Sequence, residues 1–120
     1  MTVAGRIYRV RTTLEDPPKE KIVLCVDNLF LWFNTEARLR PAQMRVTRGE
    51  VPGITRDCHL DCGRVTVFPA RELEVAKDCG RCLDEFLLRV IEEVDQRATT
   101  LTGLHRRQVV EILRTIIKPK

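Results

Sequence analysis

Two cysteines, a histidine, two aspartates and two arginines fall within ten residues, Arg56-Asp57-Cys58-His59-Leu60-Asp61-Cys62-Gly63-Arg64-Val65. These residue types can do three kinds of chemistry. Thiolates with an imidazole can bind zinc, an imidazole beside carboxylates can move protons, and guanidinium groups can hold phosphate. Backbone geometry separates the three. If Cys58 to Cys62 is extended, a rise of ~3.3 Å per residue sets those two alpha carbons about 13 Å apart, too far for both thiols to reach one zinc with bonds of ~2.3 Å. The same geometry divides the stretch into two faces. Cys58, Leu60 and Cys62 turn inward, and Asp57, His59 and Asp61 form an outer face that is either a proton-transfer site or a solvated edge.

Cys58, Cys62, Cys79 and Cys82 together give C-x3-C and C-x2-C, a spacing close to four-thiolate zinc sites. Cys79-Gly80-Arg81-Cys82 also stands just before a helical pattern, where the helix dipole can stabilise a thiolate for redox work. A redox site of that kind needs a buried strand before it, and Val75-Ala76-Lys77-Asp78 does not read as one. The expectation is therefore a tight turn capping a helix. Five cysteines, an odd number, fit a reducing compartment in which thiols serve as small buried hydrophobes. His105, next to Arg106 and Arg107, reads as a surface residue.

The elements that must position these groups follow from periodicity. Gly5 to Arg11 alternates as a half-buried strand with arginines on one side, and Leu14-Glu15-Asp16-Pro17-Pro18 breaks it. Lys21 to Val26 and Leu29 to Phe33 are apolar, β-branched and aromatic runs joined by Asp27-Asn28, the signature of a hairpin. Asn34 to Ile54 is polar, with Pro41, Gly49, Pro52 and Gly53; it reads as a long loop with one short strand near Gln43 to Thr47, in the kind of segment that often carries function. Cys58 to Cys62 and Arg64 to Phe68 are two extended pieces separated by Gly63, which marks a bulge or a close backbone approach. A short helical turn is expected through Arg71 to Ala76. Leu83, Phe86, Leu87, Val90, Ile91 and Val94 then fall at helical spacing, and Thr102 caps a second helix with Val109, Ile112, Leu113 and Ile116 on one face, stopped by Lys118-Pro119-Lys120.

Strands first and helices last predict an α+β protein, a small antiparallel sheet or barrel covered by C-terminal helices. At 120 residues, one domain is expected, mainly β over 1–69 and helical over 70–120. The start lacks an apolar secretory segment, and no run approaches the ~18 residues that cross a bilayer, so the expectation is a cytoplasmic protein with no membrane partner. The net charge of +4 is unevenly distributed. Asp84 to Arg97 is acidic, whereas Leu104 to Lys120 carries Arg106, Arg107, Arg114, Lys118 and Lys120 against Glu111, a solvated face or an attraction for phosphate or an acidic helix.

Gly5-Arg6-Ile7-Tyr8-Arg9-Val10, the Lys21 to Val26 strand, Leu31-Trp32-Phe33-Asn34-Thr35 and Ile54-Thr55-Arg56-Asp57-Cys58-His59-Leu60-Asp61-Cys62-Gly63-Arg64 together resemble small bacterial proteins of the MazF/PemK-like class. The resemblance implies a Src-homology-3-like β-barrel with attached C-terminal helices, a homodimer, and a toxin of a toxin–antitoxin pair that cleaves RNA without metal or other cofactor. Cleavage of this kind uses the ribose 2′-hydroxyl as nucleophile and needs a proton carrier and a cation for the phosphorane. The class usually places an Arg-Pro pair at the start of its second long strand; here Pro17-Pro18-Lys19-Glu20-Lys21 supplies lysine instead, and Thr47 or Thr55 must serve as the later hydroxyl. On that basis the expected catalytic residues are His59, Asp57, Asp61 and Thr55, and the expected RNA-binding residues are Arg56, Arg64 and Arg48. Two rival readings remain open: a noncatalytic barrel docking an antitoxin or other protein partner, and a zinc or thiol-redox protein built on Cys58, Cys62, Cys79 and Cys82.

Overall fold

The computed structural model of the chain describes residues 1–117, so the expected Lys118-Pro119-Lys120 stop lies outside the described residues. Six strands form one antiparallel sheet: β1 (Arg6–Thr12), β2 (Lys19–Val26), β3 (Leu29–Asn34), β4 (Gln43–Val46), β5 (Cys58–Asp61) and β6 (Lys77–Arg81), in the order β4-β5-β3-β2-β1-β6. The sheet is open, with β4 and β6 at its edges. Helix α1 (Ala70–Glu74) precedes β6, and α2 (Asp84–Arg97) and α3 (Gly103–Ile116) complete the chain, giving the α+β class.

Local chemistry accounts for the connections. Val26 pairs with Leu29, so Asp27-Asn28 is a two-residue turn, and Asp27 takes the left-handed φ of 57° that such turns require. Thr102 caps α3 as expected, its hydroxyl accepting from His105 N at 3.1 Å. Past β5 the chain swings out and returns to β3 through a bridge between Thr66 and Phe30. Gly63 makes that swing possible, since a Cβ there would lie 2.6 Å from the Pro41 carbonyl oxygen.

Two apolar clusters lie on the two sides of the sheet. Ile7, Leu24, Leu31, Phe33 and Leu60 meet Phe86, Leu87, Val90 and Val94 of α2 and Val109 and Leu113 of α3. On the other side Tyr8, Val10, Val23, Cys25 and Phe30 are capped by Phe68, with Leu73 and Ala76 against them. Phe68 sits edge-on to Phe30 at 5.1 Å and parallel to Trp32 at 5.9 Å.

Two expectations need correction. The Cys79-Gly80-Arg81-Cys82 turn is in fact the end of an edge strand: Lys77 to Arg81 pairs with β1, with a bulge between Ile7 and Tyr8. Arg64 to Phe68 is not a continuous strand, and touches the sheet as one isolated bridge. Among the described residues no helix is long and apolar enough to cross a membrane.

Candidate functional site

β3 and β5 bring the chemistry of two segments together. Asn34 pairs with His59 and Phe33 with Leu60, while on the other side of β5 Gln43 pairs with Asp61 and Arg45 with His59. Period-two alternation then puts Trp32, Asn34, His59 and Asp61 on the face away from the helices. Phe68 covers this face as far as Trp32, and Asn34, His59 and Asp61 lie beyond it.

Over that end fold residues of the 35–42 loop. Ala42 is fully buried in the left-handed conformation, φ 65°, and its carbonyl accepts from Cys62 N at 2.9 Å. The turn lets residues on both sides of it reach one carboxylate. Asp61 accepts from the Arg40 guanidinium, from Gln43 Nε2 at 2.8 Å and from the backbone N of Gly63 at 3.1 Å. Its residue exposure is 3%. The expected solvent-facing role of Asp61 is therefore wrong: it lies on the predicted face, but the loop has closed over it and made it a structural anion.

What the loop creates is a cavity of about 370 Å³, lined by Arg38, Arg40, Arg64, Trp32, Asn34 and Asp61, with Glu15 and Thr66 at its margin. Arg38 Nη2 and Lys21 Nζ each donate to Asn34 Oδ1 at 3.2 Å. Lys21 also stands 5.1 Å from the centre of the Trp32 ring, and burial pushes its ammonium below the ordinary lysine value, partly countered by Glu15 at 4.0 Å. Arg64 is exposed and has no ion-pair partner among the described residues, and Trp32 Nε1 is a buried donor with no acceptor. The site thus holds one paired guanidinium, one guanidinium on a neutral amide, and one unneutralised.

The expected site residues are divided by this geometry. Arg64 and Asp61 line the arginine cavity. Thr55 and Arg56 line a second cavity of about 270 Å³, which shares Asn34 with the first. Asp57 and Arg48 belong to neither; Asp57 Oδ1 accepts from the Arg48 backbone N at 2.9 Å, and its other oxygen lies 3.6 Å from Arg45. His59 has a buried Nδ1 without a partner, and neither aspartate hydrogen-bonds it. No Asp/His/Asp relay is assembled. Arg38, Arg40, Asn34 and Trp32 are site residues that the sequence reading did not select, although it did flag the loop carrying the two arginines.

Burial disfavours the thiolate form of the inward-facing cysteines. Burial pushes Cys82 up to about 12 and Cys62 well above the ordinary thiol value, and raises Cys58 as well. A helix start that lowers a thiol is not what Cys82 experiences. All five cysteines are free, and among the described residues no three His, Cys, Asp or Glu side chains are grouped to hold a metal ion. Compared with protein-family models, curated proteins and solved structures, the chain has no significant match.

Proposed function

We propose that the protein binds single-stranded RNA at the cavity of Arg38, Arg40 and Arg64, as a MazF/PemK-like protein. The observation that carries this reading is the convergence of three guanidinium groups, beside an indole, on one cavity. A guanidinium presents a planar fork that fits phosphate oxygens. Arg64 brings an uncompensated charge, Arg38 needs to release no carboxylate, and Trp32 Nε1 is a donor in want of an acceptor. A polar, arginine-lined wall suits an anion better than the apolar ligands that most cavities of this size take.

The Src-homology-3-like barrel is the finer part of the same reading, supported by the β1-β2-β3 meander and by the return of the chain to Phe30 at Thr66. So are the homodimer, the antitoxin partner and a cytoplasmic location. Metal-independent cleavage would need the ring nitrogen of His59 other than the buried Nδ1 to take the proton of a 2′-hydroxyl, while Arg64 meets the phosphorane charge. His59 does not line the cavity, so binding is the primary claim and cleavage the secondary one.

Anisotropy of a labelled single-stranded RNA in EDTA tests both. Arg64→Ala is expected to weaken binding about tenfold and to lower the salt slope by about one. Unchanged affinity in Arg64→Ala and Arg38→Ala alike would sink the binding claim. RNA left intact at high protein concentration would remove cleavage alone.

A second reading, the noncatalytic protein-docking module, has its own observation. Edge strand β4 and helix α2 line a groove of about 530 Å³ in which Arg45, Arg89 and Arg97 alternate with Glu92 and Glu93. An extended partner could pair with such an edge. Salt-sensitive association without any effect of Arg64→Ala would favour it.

A further inference from the structure

Two properties of the arginine cavity narrow its ligand: its walls and its charge balance. The sheet supplies the floor, through Trp32, Asn34 and Asp61. Three separate segments stand around it: Leu14 and Glu15 from the β1–β2 connection, Arg38 and Arg40 from the 35–42 loop, and Arg64 and Thr66 from the chain after β5. We propose that this cavity receives a terminal phosphate monoester, so that the protein recognises the phosphorylated end of an RNA strand rather than a phosphodiester within it. This deepens the RNA-binding reading and rests on it.

Three observations carry it. The first is enclosure. A strand held by an internal phosphate must both enter the site and leave it, whereas a floor of sheet with walls from three segments suits the end of a chain. The second is charge. Asp61 is held by Arg40, and Glu15 lies 4.0 Å from the Lys21 ammonium, so both carboxylates of the lining already face a cation. Arg38 donates to the neutral Asn34 Oδ1 at 3.2 Å, and neither it nor Arg64 has a carboxylate partner among the described residues. Two guanidinium groups are thus left to balance. A phosphate monoester carries about two negative charges at neutral pH, and an internal phosphodiester carries one. The third is the set of donors. Arg38 and Arg64 are exposed, and the Thr66 hydroxyl has no hydrogen-bond partner among the described residues. These three groups match the three acceptor oxygens of a monoester, where a diester offers two.

The other cluster of three arginines on the molecule lacks this balance. Arg106, Arg107 and Arg114 of α3 share their groove with Asp95 and Glu111, and neither acid has an ion-pair partner among the described residues. A dianion there would face free carboxylates. Arg114, exposed and outside the cavity, therefore serves as the control for loss of positive charge alone.

RNA oligomers of one sequence separate the contributions, each labelled at an internal base and 2′-O-methylated at the 3′-terminal nucleotide so that a 3′ ester cannot cyclise. One has hydroxyls at both ends, one a 5′-phosphate, one a 3′-phosphate, and two carry the methyl esters of those phosphates, which remove one charge at almost constant size. Binding is read by anisotropy in EDTA at neutral pH. A phosphate at one end is expected to tighten binding about tenfold over the hydroxyl-ended strand, and the two phosphorylated oligomers show which end it is. Its methyl ester should lose most of that gain. Arg38→Ala and Arg64→Ala are each expected to remove most of it as well, and Arg114→Ala to leave it intact. Equal affinity of the hydroxyl-ended and both phosphorylated strands overturns the end site, as does a gain that the methyl esters keep in full or that survives both cavity variants. In each of those cases weaker binding of hydroxyl-ended RNA by Arg64→Ala leaves the RNA-binding cavity standing. If no oligomer binds the wild type, the RNA-binding reading falls and the end site falls with it.

Discussion

The two faces of the sheet are built from the same strands and meet opposite fates. On one, Ile7, Leu24, Leu31, Phe33 and Leu60 lie under two amphipathic helices, and the apolar surface continues across β1, β2, β3 and β5. On the other, Tyr8, Val10, Val23, Cys25 and Phe30 are apolar beneath Phe68, and beyond Trp32 the face turns polar with Lys21, Asn34, His59 and Asp61. The reason is reach. A 14-residue helix spans about 21 Å at 1.5 Å per residue and can cover several strands, whereas α1 has five residues and covers one end. A strand face left without cover must be polar or close over itself, and here the loop carrying Arg38 and Arg40 does the closing. The candidate site exists because the second face runs out of hydrophobic cover.

The contrast is sharpest where the two faces belong to adjacent residues, Leu60 and Asp61. Leu60→Ala removes a fully buried side chain from the helix-covered core and is expected to cost about 3 kcal/mol, read from the denaturation midpoint. A loss below about 1 kcal/mol would mean that the helices do not pack tightly there. Asp61→Asn should cost less, about 2 kcal/mol, because the amide keeps the shape but loses the charge that Arg40 requires. Since Arg40 is partly open to solvent and can turn outward, Asp61→Asn and Arg40→Ala combined should cost less than the two measured separately. Strict additivity would show that the pair does not fasten the loop.

Much of this was legible because burial and periodicity agree. The hairpin at Asp27-Asn28, both long helices, the Thr102 cap and the inward turn of Cys58, Leu60 and Cys62 all follow from residue patterns that one neighbour can satisfy. Two features did not follow. Lys77-Asp78-Cys79-Gly80-Arg81 has no apolar alternation, since an edge strand needs one paired side and is commonly charged; Arg6 holds it by donating to Asp78 at 2.8 Å, a contact between residues far apart in sequence. Asp61 was assigned the right face and the wrong environment. Strand geometry gives the direction of a side chain, but whether water or a loop meets it depends on where residues 35–42 fold. For the same reason Arg38 and Arg40 read as ordinary loop charges until the loop is placed beside Trp32 and Arg64.

The smallest expected effect concerns the cover itself. Glu72 on α1 accepts from the backbone N of Thr13 at 3.1 Å and from its hydroxyl at 2.8 Å, which ties the short helix to the end of β1. These bonds, with the Thr13 backbone N–H contributing most, hold the Glu72 carboxyl below its ordinary value against a smaller opposing effect of burial. A carboxylate whose folded value is depressed binds its proton more readily in the unfolded chain. Its contribution is therefore complete above the ordinary carboxylate value of about 4.3 and is lost as the pH falls through the lower folded value. Glu72→Gln should be less stable than the wild type at neutral pH, and the two curves of stability against pH should converge as the solution becomes acidic. Loosening should also be local, with amide exchange accelerated in α1 and at Thr13 while α2 keeps its protection. Faster exchange throughout α2 would mean that the two faces unfold as one unit, and that the cover on the site's side is as integral to the core as the helices opposite.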